Sequence, residues 1–274
     1  MANWKIKALN YGTTCCDRRF MANGLDAGMI TYGPYLGFLL QNGEENVLVD
    51  TGINDRMIVD GKAWGGNPAT GGEKYVLDEL KKAGLEPKDI DLVIYTHLHN
   101  DHAGNCMLFK DTPSIIQRDE MANLKNPLPT QKIRIDYDPA TQYEIDKLTN
   151  IFLIDGDIEL ANGLKLVKVP GHTSGSQAVV VPTDDGPRII TGDMPHMLYN
   201  LFPQMTETVD MEGNKLSITP APKEWGPYLI NSVVYDHYAA FDSLDKLRLL
   251  APKFEPKYYL TGHDPQILLD YPNE

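Results

Sequence analysis

The sequence is short of the features that most quickly place a chain outside the cell, in a membrane or on a nucleic acid. Cysteine occurs three times, twice as the neighbours Cys15 and Cys16. That count gives no even-numbered disulfide framework of the kind found in small secreted domains, and it suits a reducing compartment. No stretch reaches the ~18 apolar residues of a membrane span, and the opening MANWKIKALNYG lacks the apolar core of a signal peptide. Positive charge is scarce as well: 25 Lys and Arg face 38 Asp and Glu, a formal net charge of −13, with Lys81, Lys82, Lys165 and Lys168 scattered among acids. Such a chain repels phosphate backbones and anionic headgroups. The expectation is a cytoplasmic protein without nucleic-acid or membrane partners. Repeats and low-complexity tracts are missing too, and 42% hydrophobic content over 274 residues is enough for a substantial core. One domain, 1–274, is expected.

What the chain does contain is a series of short β-rich runs separated by turn residues: 4–11, 34–41, 46–50, 91–96, 151–155, 165–170, 177–182, 188–193 and 257–262. Helical spacing is confined to a few places. Val76, Leu77 and Leu80 share a face before Gly84; Ala240, Leu244, Leu247 and Ala251 share another before Pro252; a short helix is expected over 117–124. Many strands and few helices imply sheet packed on sheet. Segments 53–72 and 197–235 carry Gly, Pro and polar residues without periodicity, and the second holds Tyr199, Phe202, Trp225 and Tyr228. A long unpatterned segment in a compact protein is commonly functional, and its aromatics mark 197–235 as a substrate lid.

The ends of the strands carry the chemistry. The run 91–96 leads into His97, His99, Asp101 and His102; 165–170 leads into His172; 188–193 ends on Asp193; 257–262 leads into His263. Read alone, His172 or His263 would be an ordinary core or surface histidine. Three imidazoles within six residues have no structural use on a strand surface, and metal binding is the expectation for 97–102. Imidazole and carboxylate suit zinc, iron(II) or manganese, and the absence of cysteine from these positions argues against a closed structural zinc site. Seven ligands exceed what one tetrahedral ion uses. Two ions roughly 3.5 to 4 Å apart, with a bridging carboxylate and a bridging hydroxide, would use them all.

The motifs HLHNDH at 97–102, PGH at 170–172, GD at 192–193 and GH at 262–263 resemble those of the metallo-β-lactamase superfamily, from VLVDTG at 47–52 to TGHD at 261–264. Within it, HLHNDHAGN, IIQRDE (115–120), PGHTSGSQ (170–177) and YDHYAAFDSLDKL (235–247) are similar to the N-acyl homoserine lactonase group. The resemblance implies an α/β fold, an αββα sandwich of two mostly antiparallel or mixed sheets flanked by helices, with a dinuclear site at one edge. It assigns His97, His99 and His172 to one divalent ion, zinc before Fe2+ or Mn2+, and Asp101, His102 and His263 to a second. Asp193 would bridge them, and Asp50 would orient a ligand histidine, although a turn-forming role suits Asp50 equally.

The activity implied is opening of a lactone, a small cyclic ester, by a hydroxide held between two ions, with Asp101 also carrying a proton to the leaving oxygen. The resemblance departs in two places. Lactonases of this group have a tyrosine three residues after the bridging aspartate, where this chain has His196; that histidine either donates to the substrate carbonyl or faces solvent after a proline turn. The 197–235 stretch is also longer than usual. Phe20, Met21, Met29, Tyr32, Trp225 and Tyr228 are candidates for the cleft wall, and equally for simple packing. Arg18 and Arg19 either bind a substrate carboxylate or stand in solvent, Cys106 is a buried filler, and a monomer or homodimer is compatible with the sequence. Rival readings are hydrolysis of an amide, thioester or phosphodiester, a di-iron redox protein, and a noncatalytic metal-binding module.

Overall fold

Alternation along the strands decides the layering. Phe38, Leu40, Val47, Val49, Ile94 and Ile115 join one buried cluster with Leu166, Val181 and Leu260. The intervening Leu39, Leu48, Val93 and Ile116 join another with Val76 and Leu80. Because successive side chains of a strand point to opposite faces, a sheet with apolar residues at every position must be covered on both sides. One side is covered by a second sheet and the other by helices.

A computed structural model describes residues 3–273; residues 1, 2 and 274 of the expected domain lie outside them. Among the described residues one sheet has eight strands: β1 (Lys5–Asp17), β2 (Ile30–Gln41), β3 (Asn46–Val49), β4 (Lys62–Ala63), β5 (Asn67–Gly71), β6 (Leu92–Ile94), β7 (Ser114–Gln117) and β8 (Ile151–Ile154). Their order is β4-β5-β1-β2-β3-β6-β7-β8, antiparallel up to β3 and parallel from β3 to β8. A second sheet takes β9 (Ile158–Glu159), β10 (Lys165–Lys168), β11 (Gln177–Thr183) and β12 (Gly186–Gly192). Strands β13 (Glu207–Val209) and β14 (Lys215–Ser217) pair apart as a hairpin, and β15 (Tyr259–Thr261) runs parallel to β12 at the edge of the second sheet. No helix among the described residues is long and apolar enough to cross a membrane.

The helices are α1 (Arg18–Met21), α2 (Glu73–Lys82), α3 (Asn100–Ala103), α4 (Arg118–Lys125), α5 (Pro129–Arg134), α6 (Pro139–Ile145), α7 (Leu198–Leu201), α8 (His237–Leu250) and α9 (Gln266–Asp270). The sheets and the helices over 73–82, 118–125 and 237–250 agree with the sequence expectation. In α2, however, Val76 and Leu80 are buried while Leu77 is exposed, because the buried stripe follows the i,i+4 pair and Leu77 lies off it. In α8, Ala240, Leu244 and Leu247 are buried and Ala251 is the C-cap. Gly171 makes that packing close: a Cβ there would come within 2.7 Å of the Ala240 Cα, and its φ of +143° is left-handed.

The two segments read as unpatterned are ordered. Residues 53–72 contain β4 and β5, which extend the large sheet beyond β1. Residues 197–235 contain α7 and the β13–β14 hairpin, and Met197, Tyr199, Ile218, Ala221 and Leu229 form a small core with Ala22. Short strands of two or three residues carry too little periodicity to register in the sequence.

Candidate metal centre

Strands β6, β12 and β15 and the loop after β10 all end at the same edge of the sandwich, and each end delivers polar side chains. Because β12 and β15 are parallel and in register at Gly192 and Thr261, Asp193 and His263 emerge side by side. Gly262 permits this, since a Cβ there would lie 2.3 Å from Asp193 Oδ1. Six of the seven histidines of the chain gather here with Asp101 and Asp193, all but His263 buried. Four interlocking trios have their ligand atoms within 4.8 Å of one another: His97, His99 and His172; His97, His102 and Asp193; Asp101, His102 and His263; His172, Asp193 and His196.

Proton accounting shows what these atoms face. Thr96 Oγ1 donates to Asp50 Oδ2 at 2.6 Å, so at 3.1 Å it accepts from His97 Nδ1. His172 Nδ1 donates to the Val233 carbonyl at 2.8 Å, His102 Nδ1 to Asp50 Oδ2 at 2.8 Å, and His263 Nδ1 to the Pro34 carbonyl at 2.9 Å. Each of the four rings is then left with Nε2 to present inward. His172 Nε2 lies 3.2 Å from His97 Nε2 and 2.9 Å from His99 Nδ1. On the other side, His102 Nε2 and His263 Nε2 lie 3.2 and 3.1 Å from Asp193 Oδ1. Between His172 and His97 lone pair opposes lone pair, and between His102, His263 and Asp193 only a proton or a cation at Nε2 relieves the same opposition, in a buried place where an unpaired acceptor is costly. A cation resolves this, and the donor set of imidazole and carboxylate fits a divalent metal.

The electrostatics divide the cluster. Burial first, then the neighbouring imidazoles, hold His97 and His99 well below the ordinary histidine value and His172 down at about 3. For His102 and His263 burial also works downward, but the carboxylates of Asp193 and Asp101 outweigh it and raise both. Burial raises Asp101. It works upward on Asp193 too, where the facing His196, His263 and His102 overcome it and hold the carboxyl well below the usual range.

Supporting residues lock this arrangement. Asp50, at φ +62°, accepts from Thr96 N, Thr96 Oγ1 and His102 Nδ1, so it holds the His102 ring in place, and a bare turn does not account for these contacts. Glu120 is buried and accepts from Leu98 N and Tyr137 OH, both at 2.8 Å, and from Thr173 Oγ1 at 2.5 Å. It ties the 97–102 turn to the 172–176 loop, while the Tyr137 ring stands 4.7 Å from that of His99. The motif at 115–120 contains Glu120 but carries no sign of its partners, which come from three distant segments.

The cluster floors a cleft of about 1070 Å³ bordered by Phe20, Met21, Tyr32, Trp64, Ile133 and Tyr199, among others. Met29, Trp225 and Tyr228 do not border it. Tyr228 is buried with its hydroxyl on Asp245, and Met29 packs on the small core. Arg18 is neither solvated nor in the cleft wall: it is buried, paired with Asp26, and 4.6 Å from the Tyr199 ring. Arg19 pairs with Asp17. Cys15 and Cys16 border the cleft, and burial pushes the Cys16 thiol up to about 11, away from thiolate chemistry. Cys106 is fully buried, the filler expected. His196 is buried, not solvent-facing, with Nε2 3.0 Å from Asp193 Oδ2.

The family model of the metallo-beta-lactamase superfamily matches residues 31–263. The chain belongs to that superfamily. An N-acyl homoserine lactonase of a Bacillus species is 30% identical over 204 residues, 72% of this chain and 78% of that protein. A quorum-quenching N-acyl homoserine lactone hydrolase of known structure superposes with a TM-score of 0.73 at 26% identity, covering 96% of this chain and 93% of that one. An N-acyl homoserine lactone hydrolase solved with N-hexanoyl-L-homoserine at its catalytic metal centre gives a TM-score of 0.75 at 24% identity, covering 98% and 97%. These similarities place the chain in the lactonase-like group of the superfamily, with the αββα fold and a divalent-metal site.

Proposed function

We propose that the protein is a metal-dependent hydrolase that opens lactones, N-acyl homoserine lactones or related small cyclic esters, with two divalent ions, zinc foremost. The observation that carries this reading is the set of histidine ring nitrogens that converge on Asp193 from both sides at the floor of a largely apolar cleft. His97, His99 and His172 would hold one ion, Asp101, His102 and His263 the other, and Asp193 would reach both, with Oδ2 toward the first group and Oδ1 toward the second. When bound, the ions supply polarisation of a carbonyl and water ionised at neutral pH.

The chain's own groups do the rest. The apolar wall of Phe20, Trp64 and Ile133 seats an acyl chain and excludes water from it. His196 faces the carbonyl oxygen as a hydrogen-bond donor, stabilising charge that develops there. Asp101, whose carboxyl burial raises, accepts a proton and returns it to the ring oxygen as the ring C–O bond breaks. Water oxygen is added to the carbonyl carbon, and the product is a hydroxy acid that releases one proton at neutral pH. Met197, Tyr199 and Val233 border the cleft from within 197–235, which supports reading that segment as a cap. We take the protein to work as one domain in the cytoplasm, as a monomer or homodimer.

Zinc-loaded protein assayed by proton release on a panel of acyl homoserine lactones, simple lactones, amides, thioesters and phosphodiesters tests the reading. Turnover of lactones above the other classes is expected. Hydrolysis of another class with inert lactones would overturn it.

A further inference from the structure

Among the inward-facing histidines, His196 is hydrogen-bonded in the opposite sense. His97, His102, His172 and His263 each direct Nδ1 at an oxygen that accepts, as set out above. His196 directs Nδ1 at the side-chain amide nitrogen of Asn231, 2.9 Å away. The amide cannot be turned over to offer its oxygen instead, because Asn231 Oδ1 already accepts from Val233 N at 3.1 Å. Reversing it would set N–H against the Val233 N–H, in a place where Asn231 and His196 are each 4% exposed. The amide N–H must therefore donate, so His196 Nδ1 must be bare and the ring proton sits on Nε2.

We infer that Asn231 is a positioning residue that fixes His196 as the Nε2–H tautomer, making His196 a hydrogen-bond donor into the cleft and removing it from the ligand set. Its ring lies among ligand-type side chains, with Nε2 3.0 Å from Asp193 Oδ2, and proximity alone would count it as a metal ligand. The tautomer decides otherwise: a ring nitrogen that carries a proton has no lone pair for a cation. The ring is held in place from other directions. The His196 carbonyl accepts from His263 N at 3.2 Å, its ring stacks on that of His263 at 5.6 Å and 19°, and His172 meets it edge-on at 4.7 Å. The N–H fixed in this way borders the cleft beside Asp193 Oδ2, where it is available as a donor to charge that develops on an oxygen there. That the oxygen belongs to a lactone carbonyl rests on the proposed function; the tautomer does not.

Long-range proton–nitrogen correlation spectra of zinc-loaded protein carrying nitrogen-labelled histidine read the tautomer directly. The ring system lost in His196→Tyr is expected to show a bare Nδ1 and a protonated Nε2, while His97, His102, His172 and His263 show the reverse. A protonated Nδ1 on His196, or a cation-shifted Nε2, overturns the inference. Asn231→Asp keeps the acceptor for Val233 N and offers His196 Nδ1 an acceptor, so the proton moves to Nδ1. With lactone as substrate, kcat is expected to fall on the order of 10²-fold with KM nearly unchanged. That loss shrinks to a few-fold at most in the His196→Tyr background; an equal loss in both backgrounds would mark Asn231 as merely structural. Should Asn231→Asp fail to fold, the spectra of the unaltered protein still decide. If no lactone is turned over, the proposed reaction falls and the tautomer is judged on the spectra alone.

Discussion

The two sides of the histidine cluster are made from the same residue type and behave differently because of what surrounds them. His97, His99 and His172 face one another, and burial holds them neutral, with lone pairs ready. His102 and His263 face Asp101 and Asp193, whose carboxylates hold protons on them. The lesson is that affinity and proton competition can be set separately for two ions a few ångströms apart. A metal must displace protons on the carboxylate side and almost none on the imidazole side.

Removing what joins the two sides has the largest expected effect. Asp193→Asn weakens both sites, with bound metal and kcat both falling by at least the ~10²-fold that loss of an orienting partner brings; elemental analysis alongside turnover checks it. Full activity with full metal content would break the picture of a shared centre. Asp50→Asn is more selective. An amide cannot accept from His102 Nδ1 and the two Thr96 donors together, so zinc titration is expected to show one of two binding events weakened by roughly 10- to 100-fold. Equal weakening of both would erase the distinction between the sides.

Acid sharpens the same contrast. In metal-free protein His172 is lowered from its ordinary 6.5 to about 3, and His97 and His99 are lowered too, so the unfolded chain binds more protons below pH 6.5. Stability is then lost as pH falls from 6.5 toward 3, with Asp193 adding to the loss as its lowered carboxyl is protonated. His102 and His263, being raised, have their full effect by pH 6.5 and leave this window unchanged, while the raised carboxyl of Asp101 opposes the loss as a single group. Thermal melts of chelated protein are expected to show Tm dropping across that window; a rising Tm would mean the carboxylate side dominates. The smallest effect lies at the cleft wall, where Trp64→Ala raises KM for long-chain lactones several-fold and leaves kcat near its original value.

The clustered side chains were legible in the sequence because metal chemistry constrains residue type and spacing together: H-x-H-x-D-H after a β-rich run has few other uses, and it lent meaning to His172, Asp193 and His263. The strands were legible by alternation, apart from the two- and three-residue ones. What stayed hidden depends on contacts between distant segments. Glu120 meets Leu98, Tyr137 and Thr173, and Asn231 meets His196 across 35 positions, with no local pattern to announce either. Arg18 was misjudged for the same reason: its partner Asp26 and the Tyr199 ring that covers it bury a charge that composition alone puts in solvent. Whether Trp225 and Tyr228 line the cleft or lie elsewhere was not legible, because aromatic content in a loop does not say which way the rings turn.

Side chains from four strand ends are proposed to hold a pair of ions together. Elemental analysis of the purified protein after equilibration with zinc and exhaustive dialysis tests it most directly. Two zinc ions per chain are predicted, falling below one in Asp193→Asn. A chain that retains none, or an Asp193→Asn variant that retains both, would contradict it.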